Sequence, residues 1–437
     1  MRPGQPTLET QAMRKIGRRI APFLALLYFA AFLDRANISF AAPTMNRDLG
    51  LSAYAYGLGA GVFFIGYVLF EIPSNLILHK VGARRWIARI MVTWAVIAGA
   101  MALLSGPNGF YLTRFLLGVA EAGFFPGVVY YLARWAPADQ RARLIGLFMT
   151  AIPVSTALGG PLSTAILGLD GMLGLPGWRW LFLTEALPSL ILGVAVLFLL
   201  PDAPNDAAWL SGEEKAWLAQ ALDAEAQRRP RRNDHGLAGL TDATVIVLGL
   251  GYFGVEIGLY GVILWIPQIL ADAGIPARLT GLVTAIPYAI AAVAMVWWCR
   301  RSDRARERPW HIAAAATAGA AGLAANGLLS HAPVLSVAAI TVGAAGTLAV
   351  LPIFWTLPAA RLKGAAAAGG IALINAVGNL GGFVGPYAVG WIKDATGDFT
   401  YGLLALAGGV LATGIAALAV GHKAAVEHGE PGRVPAT

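Results

Sequence analysis

The chain has 437 residues, of which 57% are hydrophobic and only 13% charged, with a mean hydropathy of +0.64. A soluble globular domain carries about 25% charged residues, so the composition excludes an ordinary soluble fold and points to a chain that crosses a membrane many times. The formal charge of +8 does not argue for nucleic acid, because the bases sit in short loops between apolar runs, and the single Cys299 excludes an internal disulfide.

The first apolar run, near 20–42, exceeds the roughly 7–15 residues of a signal-peptide core and reads as a retained first span. Runs long enough for a hydrocarbon core of about 30 Å follow near 56–78, 86–104, 110–133, 143–168 and 179–200. After a polar gap, six more lie near 243–270, 279–299, 311–329, 333–356, 364–391 and 400–421. The expected fold is an all-α membrane protein of twelve spans in two pseudo-symmetric six-helix bundles. Its segments are 1–19 (N-terminal), 20–200 (first bundle), 201–242 (linker), 243–421 (second bundle) and 422–437 (tail).

Lys and Arg set the expected orientation. Arg14 to Arg19, Lys80 to Arg85, Arg134 to Arg143, Arg228 to Arg232, Arg300 to Arg308, and Arg361 with Lys363 fall on one side. The other side holds only Arg47, Arg179, Arg278 and Lys393, which places both termini and the central loop in the cytoplasm. Leu158-Gly159-Gly160-Pro161 in span 5 is echoed by Leu380-Gly381-Gly382 and Gly385-Pro386 in span 11, and KVGARR after span 2 by RRSDRARER after span 8. A duplicated six-helix unit explains both echoes. In the linker, Ser211 and Glu214 have capping-box spacing, and Trp217, Leu218, Ala221 and Leu222 form an apolar stripe, so an amphipathic helix is expected on the cytoplasmic face.

The chemistry lies in charges placed inside spans, which are costly unless they face a bundle interior or a wet cavity. Span 1 carries Asp34 and Arg35 side by side, and their side chains point about 100° apart on a helix, so their partners must come from different helices. In span 4, Arg114 and Glu121 are seven residues apart on one face. A guanidinium cannot deprotonate and presents a planar fork to a carboxylate, so Arg35 and Arg114 suit an anionic substrate. A buried acid that exchanges its partner can take up or release a proton. A static set of interhelical ion pairs is the alternative. Glu71, and Glu185 placed close to Arg179 and to water, read as structural; Glu256, flanked by Tyr252 and Tyr260, fits either a cavity or packing.

FLDRANISFAAP in span 1, FFIGYVLFEIPSNLILHKVGARRWI in span 2 and RFLLGVAEAGFFPG in span 4 resemble the anion:cation symporter branch of the major facilitator superfamily. YGVILWIPQIL in span 7 and SDRARERPWH after span 8 fit as well, so that the likeness runs from about residue 15 to 421. It implies a central cavity opening alternately to each side, and bacterial carriers of tartrate, sugar acids, phthalate or hydroxyphenylacetate. On that likeness Asp34 and Glu121 match proton-titrating acids, Arg35 the base beside the first, and Arg114 the base that engages the substrate carboxylate, while Tyr67 lines the cavity. The loop motif departs from the superfamily pattern at His79, usually an acid, and Asn75, usually Gly; the second copy keeps Asp303-Arg304. Arg84, Arg85, Asp303 and Arg304 are the expected gating residues.

The second bundle is expected to supply polarity without deep bases: Asn375 and Asn379 one turn apart, then Thr356, Trp355, Tyr260 and Gln268, with Tyr252 among the aromatics. The expected function is proton-coupled import of an organic anion across a bacterial inner membrane by a monomer, with no cofactor beyond the proton gradient. An exporter of an organic anion or drug is the alternative within the fold. A membrane-embedded transferase would need a nucleophile, base or metal cluster, whereas the six histidines lie near span ends, in loops or in the tail, and no nucleotide loop of the P-loop pattern occurs.

Overall fold

The structure is a computed structural model and describes residues 7–228, 242–361 and 364–427. The basic run 229–232, Lys363 and most of the expected tail lie outside the described residues. Every regular element among them is helical. The first, α1 (Leu8–Arg19), fills a segment for which no element was expected; the Thr7 hydroxyl accepts from the Thr10 N–H at 3.2 Å, and Ala12 and Ile16, one turn apart, are buried. Spans 1 to 3 are α2 (Ala21–Leu49), α3 (Ala53–Val81) and α4 (Ala83–Ala100).

Span 4 is broken in two. It forms α5 (Pro107–Glu121) and α6 (Phe124–Ala133), because Ala122 turns extended and Gly123 adopts φ +85°, a left-handed conformation that glycine takes without Cβ strain. Ser74 of α3 pins the break: its hydroxyl donates to the Ala122 carbonyl at 2.6 Å and accepts from the Trp86 indole at 2.9 Å. Arg114 and Glu121 both lie before the break, so the shared face expected for them survives. Span 5 is α7 (Ala138–Met149) with α8 (Ala151–Leu167), and span 6 is α9 (Gly177–Leu199).

The linker carries α10 (Gly212–Arg228). The expected capping box is present, with the Ser211 N–H donating to Glu214 Oε2 at 2.8 Å and the Glu214 N–H donating to Ser211 Oγ at 3.2 Å. Leu218 is buried, and Trp217, Ala221 and Leu222 are half-buried. The remaining helices are α11 (Ala243–Asp272), α12 (Ala277–Ala305), α13 (Pro309–Leu328), α14 (Pro333–Phe354), the short α15 (Thr356–Arg361), α16 (Gly364–Thr396) and α17 (Thr400–Glu427). Eleven segments among the described residues are long and apolar enough to cross a membrane. The twelfth span, α13, is rich in Ala and Gly rather than in large apolar residues, which lowers its hydropathy.

The chain forms two compact units. One comprises Met1–Asn37, Ile65–Gly159 and Ala165–Arg231; the other Ile38–Phe64, Gly160–Thr164 and Arg232–Thr437. In the first unit α4 packs on α9, where a Cβ on Gly193 would meet Val92 at 3.1 Å. Buried Trp94, Trp135 and Trp178 fill its core. The α1 helix is clasped to α10 by Lys15 and Glu214 at 2.8 Å, and Arg141 reaches Glu225 at 3.1 Å.

In the second unit α11 is the central helix, buried along most of its length. Glycines let the other helices come close, the mode expected where lipid gives helices no hydrophobic reason to associate. Gly381 and Gly385 of α16 sit on the backbone of α11 at Ile257, and Gly319 and Gly322 of α13 meet Gly346 and Gly343 of α14. The Ile38–Phe64 part of this unit is held the same way. Gly57 and Gly61 of α3 face Pro386 and Phe383 of α16, the Tyr56 hydroxyl donates to the Leu264 carbonyl at 2.7 Å, and the Asp394 carboxylate caps α3 through the N–H groups of Ala53 (3.0 Å) and Tyr54 (2.8 Å). Gly160 packs against the backbone of Gly281. The glycine echoes between spans 5 and 11 thus mark two close helix approaches.

Candidate functional site

The adjacent charges on α2 separate as helical geometry requires. Arg35 turns to α5, where its Nη2 donates to Glu121 Oε1 in a buried ion pair; the two side chains are 10% and 5% exposed. The Arg35 guanidinium also lies 4.9 Å from the centroid of Phe32 and 5.9 Å from that of Tyr67. Such faces stabilise a desolvated cation. Arg114, on the same helix as Glu121, is fully buried, and its charge acts on that carboxylate. Four of the five expected residues of this half, Arg35, Glu121, Arg114 and Tyr67, therefore form one electrostatic group.

Asp34 has hydrogen-bond donors of its own. Its Oδ2 accepts from the Trp94 indole of α4 at 2.8 Å and from the Ser189 hydroxyl of α9 at 2.5 Å. Its Oδ1 is buried with no hydrogen-bond partner among the described residues. Trp94 and Ser189 are the residues that sequence reasoning missed. A buried acid calls for donors, but nothing in the local pattern of spans 3 or 6 says which side chains reach Asp34. Glu185 is 2% exposed, which corrects its expected place near water: the face of α9 that carries it, one turn from Ser189, turns into the unit.

In the second unit the expected polar residues are spread along three helices. Tyr252, Phe354 and Trp355 form an aromatic cluster, with Tyr252 stacked on Phe354 at 5.5 Å and edge-on to Trp355 at 4.9 Å. Tyr252 also covers Gly378 of α16. Tyr260 meets Phe64 at 4.4 Å. Asn375 and Asn379 are half-buried on α16. The Thr356 hydroxyl donates to the Ile353 carbonyl at 2.6 Å, a local bond that ends the last turn of α14. Glu256 is 3% exposed, beside Gly381, and the side-chain nitrogen of Gln268 is buried with no hydrogen-bond partner among the described residues.

The expected gating residues lie at two helix ends, Arg84 and Arg85 in the first turn of α4, and Asp303 and Arg304 in the last turn of α12. Arg84 pairs with Asp202 at 2.9 Å, while Arg85 is exposed. Asp303 pairs with Arg308 at 2.7 Å rather than with its neighbour Arg304, which is exposed. Glu307 caps α13 through the N–H groups of Trp310 (2.7 Å) and His311 (3.2 Å). His79, at the departure from the superfamily pattern, packs edge-on against Tyr130 at 4.3 Å.

Membrane-length apolar helices that carry buried charges are the marks of a membrane transporter. The chain matches the family model of the Major Facilitator Superfamily over residues 24–386, and it belongs to that family. It is 53% identical over 380 residues to a protein of Agrobacterium vitis named "Putative tartrate transporter", covering 87% of this chain and 84% of that one. It is 43% identical over 381 residues to the "Quinolone resistance transporter" of Acinetobacter baumannii, covering 87% and 88%. Its fold matches the crystal structure of a bacterial homolog of the human lysosomal transporter Spinster, inward-facing and unoccupied, with TM-score 0.74 and 17% identity over 99% of this chain and 100% of that one. It is a multi-pass protein of a bacterial inner membrane that moves a small organic substrate.

Proposed function

We propose that the protein imports an organic carboxylate, of the tartrate or sugar-acid kind, together with protons by alternating access. The observation that carries the reading is the buried Arg35–Glu121 pair, with fully buried Arg114 on the same helix as Glu121. A substrate carboxylate that takes over a guanidinium releases Glu121 from its partner, and a buried carboxylate without its cation favours the protonated form. Anion binding and proton uptake are then linked through one residue. Asp34, on its own donors, is the second proton site. Asn375, Asn379, Tyr260, Thr356 and Trp355 are the proposed contacts for the rest of the substrate, with Glu256, Tyr252 and Gln268 as further members, and no cofactor takes part. The relative named for tartrate supports a dicarboxylate with hydroxyl groups.

Export is the second reading, favoured by the relative named for quinolone resistance. Proteoliposomes separate the two. With an inward-directed proton gradient, uptake of tartrate or a sugar acid above equilibrium is expected. Arg114→Ala abolishes substrate binding, and Glu121→Gln loses pH-driven accumulation while keeping exchange of internal for external substrate. Retained affinity in Arg114→Ala, or unchanged accumulation in Glu121→Gln, would remove that residue from the mechanism. Accumulation of quinolones alone, under an outward-directed proton gradient, would establish export.

A further inference from the structure

A cleft of about 500 Å³ opens in the first unit where α1 and α9 end and α2 and α4 begin, with a polar side and an apolar side. Arg19 and Arg84 stand on the polar side. The Arg19 guanidinium lies 5.7 Å from the centroid of Trp209. Arg84 holds Asp202 through Nη2 at 2.9 Å, while its Nε is buried with no hydrogen-bond partner among the described residues. On the apolar side, Phe198 and Leu199 are 81% and 62% exposed at the last turn of a membrane span, and Phe23 completes the wall.

Two acids stand near the cleft, so its positive character rests on the excess of bases over them. Asp202 is paired with Arg84, and Asp206 accepts from the Ala203 N–H at 3.1 Å. Next along the chain from the two arginines, Arg14, Arg18 and Arg85 are exposed and add positive charge. On the positive-inside orientation this is the cytoplasmic edge of the bilayer, where basic pockets between spans recognise anionic headgroups and Trp sits at headgroup depth.

We propose that this cleft binds an anionic phospholipid of the cytoplasmic leaflet. The phosphodiester lies between Arg19 and Arg84, the Trp209 indole flanks the headgroup, and the acyl chains run along Phe198, Leu199 and Phe23. A zwitterionic lipid fits the apolar side equally well but brings its own ammonium to a basic wall. A free phosphate lacks the chains that would fill the exposed apolar side.

Native mass spectrometry of the delipidated full-length protein tests this, with phosphatidylglycerol and phosphatidylethanolamine of matched chains added in competition. A preference for phosphatidylglycerol is expected. It falls about fivefold for Arg19→Gln and again for the Arg19→Gln/Arg84→Gln pair, the loss due to one base at a membrane surface. Arg19→Gln alters an exposed side chain, so it keeps the test decisive should the double variant fail to fold. Equal retention of both lipids, or an unchanged preference in Arg19→Gln, would overturn the proposal. Displacement of phosphatidylglycerol by millimolar inorganic phosphate would assign the site to the free anion instead.

Discussion

Replacing Gly61 by alanine tests the contact between α3 and α16. A Cβ there would stand 2.8 Å from the Phe383 carbonyl oxygen and 3.2 Å from its Cα, where ordinary contact begins at 3.4 Å. The neighbour is backbone, so it cannot rotate away, and the two helices must part by about half an ångström. Overpacking of this kind costs about 1–3 kcal/mol, whereas the gain in helix propensity of about 1 kcal/mol is present whether or not the helices touch. The packed arrangement of α3 on α16 should therefore lose about 5- to 150-fold in population against a separated one. With Cys299 replaced by serine, spin labels at Asp48 and Arg278, both exposed, report the separation by electron–electron double resonance. A longer-distance component should grow in Gly61→Ala and grow further in Gly61→Val. An unchanged distance distribution in both would refute the argument that the glycine seam holds α3 to α16.

Three further outcomes are expected. Ser189→Ala and Trp94→Phe each remove one donor from Asp34. Each should cost about 1.5–3 kcal/mol, the worth of a hydrogen bond to a charged group, and should shift the pH profile of transport; a profile identical to the parent's would detach Asp34 from proton handling. Gly123→Ala forces a Cβ into a left-handed residue and against Ser74, at about 1–2 kcal/mol of backbone strain alone. It should impair transport more than folding, because Glu121 sits two residues before the break; equal loss of both would show the break to be structural only. The third concerns Glu214. Burial raises its pKa, but the hydrogen bond from Lys15, the Ser211 N–H and the Lys15 charge outweigh this and hold it below the usual carboxylate range. A depressed folded pKa adds stability above the unfolded value, about 4.3, that is lost as pH falls through the lower folded one. Acidification through that window should release α1 from α10, read as faster proteolysis after Arg14 or Lys15, and Glu214→Gln should show the same release at neutral pH. Protection of both forms at all pH values would contradict this.

The helical class and the places of the apolar spans were legible in the sequence because a bilayer leaves a chain little choice: about 20 apolar residues must pair every backbone group within the segment. The split of Asp34 from Arg35 was legible too, since adjacent helical residues diverge by 100°. The amphipathic α10 and its capping box followed from spacing alone. Where each charge ended depended on packing between helices distant in the chain. Trp94 and Ser189 reach Asp34 from 60 and 155 residues away, and no local pattern encodes such a meeting. The break after Glu121 needed Ser74 of a neighbouring helix as well as its own glycine. The burial of Glu185 was decided by which face of α9 met α4, a choice that an almost uniformly apolar helix does not announce. Local sequence determines a membrane helix because hydrogen bonding within it is local. The tertiary structure decides the site because the pairing of buried charges is not.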